Sequence, residues 1–356
     1  MKDQQKFTAA VIGAGRVGNY HTLAQIELSN DVVIYDVSTE RAQVIAKQHP
    51  SQVRVAASLE EAIQVADVVH ICTPPMYHLD GVLASVAYDK PTIVEKPLAF
   101  KLEEAIQIYR AIKQTTAPVI LATSFRVTPS LLAICDAVRS GTIGTVGSLE
   151  TSYVHDVKYL ENGATWRKQL ESTAFLYEGG THAVDLNLWL AGQPVTEVQA
   201  MVGSKKTRHE YRWDDDIAIS LKYEDGTIGR VWVNAAAPLP RHGSSVAIYG
   251  ERGAYRAHSK FPFYESYLER EEDVWIKHVT DIKPTMKVMS AIFNDYIQGR
   301  RDNFEPMPSL EEGLRLMLVL DTIEKSLNSG VTEKIPRLED ILQDNVEGEP
   351  AVAYTA

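Results

Sequence analysis

Short apolar runs alternate with amphipathic stretches along the first third of the chain. Phe7–Ile12, Val32–Tyr35, Val53–Val55, Ala66–Cys72, Thr92–Val94 and Val119–Ala122 are compact and β-rich, the pattern of buried strands. Between them, Val17–Leu28, Thr39–Gln48, Ser58–Val65, Tyr77–Ala87 and Leu102–Gln114 read as helices. Ser58 with Glu61 supplies a capping box at the start of one of these. Strands alternating with helices of this length predict a parallel, doubly wound α/β sheet, whose ligands bind in the crevice at the carboxyl ends of its strands.

From about Ser124 the rhythm changes. A helix is expected at Leu131–Arg139, a strand at Val146–Val154, an irregular polar stretch over Asp156–Ala174, and a helix from about Gly180 closed by Gly192. Thr196–Val202, Ile217–Tyr223, Ile228–Val233, Ser245–Tyr249 and Ala254–His258 then alternate in the manner of a large, mostly antiparallel sheet, with turns at Glu224–Gly226 and Gly250–Gly253. Met286–Gln298 and Leu310–Asn328 read as closing helices, the latter with Ser309 and Glu312 as a capping box. The division expected is a doubly wound unit over 1–123, an α+β unit over 124–345 and a loose tail over 346–356.

A length of 356 residues suits two such units. The formal net charge of −11 argues against a nucleic-acid surface. The two cysteines, Cys72 and Cys135, have apolar neighbours and no C-x-x-C spacing, so inert buried thiols are expected. The opening M-K-D-Q-Q-K lacks the apolar core of a signal peptide, and no stretch has the uninterrupted apolar length of a bilayer span. A cytoplasmic setting without membrane contact is the expectation. Asp214–Asp216 reads as a solvated strand start, and no metal site is expected.

The chemistry begins where the first strand meets Gly13, Gly15 and Gly18 in the spacing G-x-G-x-x-G. Gly13 permits the tight turn, Gly15 lets a pyrophosphate approach the backbone, and Gly18 lets the helix pack against the strand. The helix N-terminus, with Arg16 and Val17, offers N–H groups and the positive dipole end to phosphates. Asp36 ends the second strand, where a carboxylate accepts from the adenosine ribose and repels a 2′-phosphate. NAD is therefore expected over NADP, with Arg41 the nearest basic residue. Further strand ends carry Thr73-Pro74-Pro75 with His78 beyond, and Glu95-Lys96-Pro97. The first is a rigid loop able to lie along a dinucleotide. The second puts an ammonium near the reactive end of the cofactor, and a cis Lys96–Pro97 bond would aim it at a fixed point. In the second unit, His182, Asp185 and Trp189 share a helix face. Glu178 joins them if the helix starts early enough. An imidazole between carboxylates can handle protons, although a satisfied buried pair gives the same pattern.

G-x-G-x-x-G-x-x-H with Asp36, the T-P segment with a downstream His, and E-K-P, in this order, resemble the glucose–fructose oxidoreductase / inositol dehydrogenase / rhizopine-catabolism family. So does the acid–His–Asp–W-L-x-G run of Glu178, His182, Asp185 and Trp189–Gly192. It departs from the family pattern in carrying Glu rather than Asp at 178 and Ser172-Thr173-Ala174 in place of a glycine run. The resemblance spans roughly Ala9 to Lys334. It implies hydride transfer between a nicotinamide and a secondary alcohol carbon of a sugar, polyol or related hydroxy compound. Lys96 would contact the reacting oxygen, His182 would act as base, and Glu178 or Asp185 would orient it. Thr73, Pro74, His78 and Glu95 would lie along the cofactor, and Arg126, Tyr153, Trp166 and Arg167 would line the pocket. It also implies a homo-dimer or homo-tetramer formed through the open face of the second sheet. The same fold also accommodates an enzyme that uses NAD transiently to cleave or eliminate glycosides, and a nucleotide-sensing regulator.

Overall fold

The computed structural model describes residues 6–154, 156, 166–167, 170–172, 174–203, 212–235, 237, 243–260, 263–269, 276–281 and 285–344. The first part runs β1 (Thr8–Ile12), α1 (Arg16–Glu27), β2 (Asp31–Tyr35), α2 (Thr39–Gln48), β3 (Val53–Val55), α3 (Leu59–Gln64), β4 (Val68–Ile71), α4 (His78–Ala87), β5 (Thr92–Glu95), α5 (Leu102–Ile112) and β6 (Val119–Ala122). The six strands pair in parallel in the order β3-β2-β1-β4-β5-β6. The order reverses at β1, so the crevice opens between the ends of β1 and β4. β1, β4, β5 and β6 are buried along nearly their whole length, which is why they read as unbroken apolar runs.

The second part runs α6 (Pro129–Arg139), β7 (Val146–Val154), β8 (Glu171–Ser172), α7 (Thr181–Ala191), β9 (Val195–Val202), β10 (Arg212–Trp213), β11 (Asp216–Tyr223), β12 (Ile228–Asn234), β13 (Gly243–Gly250), β14 (Gly253–Lys260), β15 (Phe263–Glu269), β16 (Ile276–Asp281), α8 (Thr285–Ile297), α9 (Leu310–Ser329), β17 (Glu333–Lys334) and α10 (Leu338–Asp344). Nine of these strands form one sheet, β16-β15-β14-β13-β7-β12-β11-β9-β17. Every pair in it is antiparallel except β7 with β12. Along β11, Ile217, Ile219, Leu221 and Tyr223 are buried while Ala218, Ser220 and Lys222 are exposed, so one face is packed and the other open. α7 and α9 lie on the packed face. The open face carries Met201, 67% exposed, and Trp232, 49% exposed.

The two sheets share one apolar core, which runs from Ile12, Val94 and Leu121 to Leu149, Ile219 and Leu320. α8 follows the second sheet in sequence yet packs on the first. Its Met289 and Phe293, with no exposed surface, meet Ala9, Val68, Ile93 and Ile120. A buried phenylalanine of this kind contributes roughly 1.5–3 kcal/mol. No helix among the described residues is long and apolar enough to cross a membrane. The tail over 346–356 and most of the irregular 156–174 stretch lie outside the described residues. Asp215 is buried rather than solvated, and Asp216 accepts a 2.7 Å bond from the Trp232 indole.

Candidate active site

The glycine turn leaves β1 at Gly13, whose φ of +105° is one that residues with a Cβ rarely adopt. A Cβ on Gly13 would also stand 2.8 Å from the carbonyl oxygen of Cys72, and one on Gly18 would stand 1.8 Å from that of Gly13. The end of β4 thus crowds Gly13 and the turn itself crowds Gly18, so neither position tolerates a side chain. Gly15 differs, because nothing lies within 4 Å of where its Cβ would be. It is also the N-cap of α1 and gives the helix no side-chain cap. Bare N–H groups facing open space form a cradle for an anion. Asp36 closes the cradle's far side. Its carboxylate accepts from Ala14 N at 2.7 Å and Ser38 N at 2.8 Å, and pairs with Arg41 at 3.0 Å. The hydroxyl of Thr73, on the loop after β4, is buried without a partner among the described residues. These features fit a dinucleotide, with Gly13–Gly18 at its pyrophosphate, Asp36 at its ribose and Thr73 beside it.

His78 does not reach that crevice. It is wholly buried, with Nε2 3.0 Å from Thr73 O and Nδ1 3.2 Å from Leu98 O. It ties the loop after β4 to the turn after β5, and burial lowers its pKa against the pull of those carbonyls. The expected cofactor contact at His78 is therefore corrected to a structural one. Glu95 also points inward. It is 7% exposed and takes a 2.9 Å bond from His21, while its second oxygen accepts the Lys96 N–H at 3.2 Å.

Lys96 leaves the first sheet in the opposite sense. Lys96–Pro97 is cis, and the ammonium donates a 2.6 Å bond to the main-chain oxygen of Glu178. Burial lowers the Lys96 pKa, against the raising influence of Glu178 and Glu95. The receiving segment is helical from Ala174, earlier than the sequence suggests, and Leu176–Gly180 form a π-helical turn ahead of α7. Such turns recur at functional sites. Gly179 makes this one fit, since a Cβ there would stand 2.7 Å from the rings of Phe175 and Tyr153. The Glu178 carboxylate meets Arg167 at 3.1 Å, and the Arg167 guanidinium lies over Trp166 at 4.3 Å. Trp166 in turn approaches Phe100, which follows the E-K-P turn.

One helical turn beyond Glu178, the His182 ring stacks on Phe125, with centroids 4.4 Å apart at 18°, and lies 5.5 Å from Tyr153. The structure therefore joins Lys96 and Arg167 to Glu178, seats Trp166 on Arg167, and stacks Tyr153 on His182 one helical turn further along. Phe100 adjoins the first of these groups through Trp166, and Phe125 the second through His182. Sequence reasoning assigned them no role, although Phe125 stands just past the end of β6, at the edge where ligands bind.

Two expected members are elsewhere. The Asp185 oxygens receive three contacts of 2.7–3.2 Å from the Arg126 guanidinium, whose remaining arm reaches Glu312 at 2.9 Å. The Arg126 and Asp185 side chains are 4% and 2% exposed, and the guanidinium also lies 5.6 Å from the Trp189 ring. A planar fork satisfies a buried carboxylate better than an imidazole does. The roles expected of Asp185 toward His182 and of Arg126 toward substrate are thus replaced by a clamp joining the 124–127 turn, α7 and α9.

Residues 7–123 match the oxidoreductase family with an NAD-binding Rossmann fold. Residues 131–256 match the GFO/IDH/MocA C-terminal domain. The levoglucosan dehydrogenase of Pseudarthrobacter phenanthrenivorans is 24% identical over 285 residues, 70% of this chain and 73% of its own. An inositol 2-dehydrogenase of Pseudarthrobacter chlorophenolicus is 26% identical over 259 residues, 69% of this chain and 74% of its own. Among solved structures, levoglucosan dehydrogenase in complex with NADH and levoglucosan has the same fold. Its TM-score is 0.81 at 20% identity, covering 94% of this chain and all of that one.

Proposed function

Because the chain belongs to the GFO/IDH/MocA oxidoreductase family, we propose that it transfers hydride between a nicotinamide cofactor and a secondary alcohol carbon of a sugar, inositol-like polyol or related hydroxy compound. The observation that carries this reading is the 2.6 Å bond from Lys96 Nζ to Glu178 O. It draws the ammonium of the first sheet against the helix that bears His182.

The bound nicotinamide supplies the hydride acceptor. The chain does the rest. An ammonium has three donors, so the bond to Glu178 leaves others for a substrate oxygen. From there Lys96 stabilises the negative charge that develops as the alcohol is oxidised. His182, held flat against Phe125 and Tyr153, takes the hydroxyl proton. Trp166 and Phe100 wall the gap and keep water from the reacting carbon, while Arg167 holds the Glu178 carboxylate. Asp36 favours NAD, since its charge opposes a 2′-phosphate. The open sheet face around Met201 and Trp232 is the proposed contact between copies of the chain.

The test is a panel of sugars, inositols and sugar acids read at the reduced-nicotinamide absorbance, with NAD and NADP in separate series. Reduction of NAD by at least one polyol is expected. Tight NAD binding with no turnover on any member would overturn the dehydrogenase reading.

A further inference from the structure

Beneath the glycine turn lies a set of buried polar side chains that the proposed chemistry does not use. His21 and Gln25 come from α1, Asn30 from the loop after it, His70 from β4 and Asn294 from α8. His21, His70 and Gln25 have no exposed surface, and Asn30 and Asn294 are each 4% exposed.

Their order has a direction, set at one end by a donor that cannot reverse. The backbone N–H of Phe7 donates to Asn30 Oδ1 at 3.0 Å. The Asn30 amide therefore turns its Nδ2 to Gln25 Oε1, at 2.6 Å. Asn294 Nδ2 faces the same Gln25 oxygen at 3.4 Å. Gln25 must then give its N–H to His70 Nε2, 2.8 Å away. With Nε2 accepting, the His70 proton sits on Nδ1 and points at His21 Nδ1, at 2.9 Å. His21 Nδ1 accepts in turn, so its proton sits on Nε2 and goes to Glu95 Oε1, at 2.9 Å. Each link follows from the one before, because each amide or ring has one donor side and one acceptor side.

A proton added to His21 Nδ1 would face the Nδ1–H of His70. Burial opposes charge on His21, but Cys72 and Glu95 beside it outweigh burial and push its pKa up to about 10, so it is the facing His70 N–H that must keep the second proton off. Burial also keeps the Cys72 thiol protonated, so the remaining push comes from Glu95. Burial by itself holds His70 neutral.

We propose that Phe7, Asn30, Gln25, His70 and His21 form a one-way donor relay that holds both histidines neutral and leaves the Glu95 carboxylate ionised as counter-charge to Lys96. Only the last link, to Lys96, rests on the function proposed above. An imidazolium at His21 would cancel the Glu95 charge. A neutral donor orients the carboxylate and leaves that charge to act on the adjoining lysine. His21, His70, Gln25 and Asn30 are then positioning residues.

The test uses the whole protein labelled with 15N in its imidazole rings, read by NMR at neutral pH. The relay requires a bare Nδ1 with Nε2–H on His21, and a bare Nε2 with Nδ1–H on His70. A doubly protonated His21, or Nε2–H on His70, overturns it. In Gln25→Met, which keeps the volume and removes the amide, His70 should lose its single tautomer. The Lys96 titration, followed at 13Cε, should move down by about one pH unit, the low end of what one neighbouring charge does. Reduced thermal stability with tautomers and lysine titration unchanged would make the cluster a merely structural one and overturn the proposal. Neither readout needs turnover, so loss of the dehydrogenase reading and loss of the relay are separate results.

Discussion

Removal of the Arg126 guanidinium should destabilise the fold far more than removal of the Asp185 charge. Asp185 has 2% of its side chain exposed, and both its oxygens are served by Arg126. Arg126→Met leaves that carboxylate ionised in a dry site, a situation that costs about 3–5 kcal/mol. In Asp185→Asn, Arg126 keeps a carbonyl acceptor and the Glu312 carboxylate at 2.9 Å, whose side chain is 49% exposed. The cost there should be nearer the ~1–2 kcal/mol of a weakened buried hydrogen bond. Arg126→Met with Asp185→Leu should recover much of the larger loss, because an apolar pair of similar volume often replaces a buried ion pair without penalty. Denaturant midpoints of the four proteins give the comparison, and specific turnover of the folded fraction is measured beside it. Near wild-type stability in both single variants, with turnover down ~100-fold as for a lost proton-transfer group, would refute the clamp and return these residues to the chemistry.

Lys96→Ala and His182→Ala should each lower turnover at least ~100-fold, the scale of a lost proton-transfer group, while calorimetry shows NAD affinity nearly unchanged. Gly15→Ala should fold with normal stability and bind NAD poorly, since its Cβ meets only open space, whereas Gly18→Ala should lose stability first, with its Cβ 1.8 Å from Gly13 O. Equal stability losses in the two would contradict the geometry of the turn. Asp36→Ala should narrow the preference for NAD over NADP in kcat/KM, and an unchanged ratio would remove Asp36 from the choice of dinucleotide. Burial raises the Glu312 pKa, but Arg126 and the capping groups of Ser309 outweigh it, so the net shift is downward. A depressed carboxylate contributes stability above its unfolded pKa, about 4.3, and loses it as pH falls through the folded value. Glu312→Gln should therefore flatten the acid limb of the stability profile, and an unaltered limb would exclude this group.

What the sequence revealed was what spacing alone decides. The glycine triplet, Asp36 and E-K-P occupy strand ends whose positions follow from the alternation of strands and helices. The stripe Glu178, His182, Asp185 was equally visible, because it depends only on the helical period. Its partners were not. Arg126 lies 59 residues before Asp185, and which of two acids an arginine takes depends on how α7 and α9 meet. The two turns of one stripe divide their work for this reason. Glu178 faces Lys96 and Arg167, and Asp185, one turn past His182, faces Arg126 among the packed helices.

The early start of that helix depends on the second sheet as well. Gly179 and Gly180 would weaken an isolated helix by about 1 kcal/mol each, which is why the sequence suggests a later start. Against β7 and β12 the same absence of side chains is required. Gly179 lies beneath Phe175 and Tyr153, and a Cβ on Gly180 would come within 3.2 Å of Val233. Close contact fixes the π-helical turn where it can offer the Glu178 oxygen to Lys96, and the ring of Tyr153 that crowds Gly179 is also one that His182 stacks on. Packing that looks costly along the chain thus sets the spacing between ammonium and imidazole, and a bulkier residue at 179 should disturb both groups together.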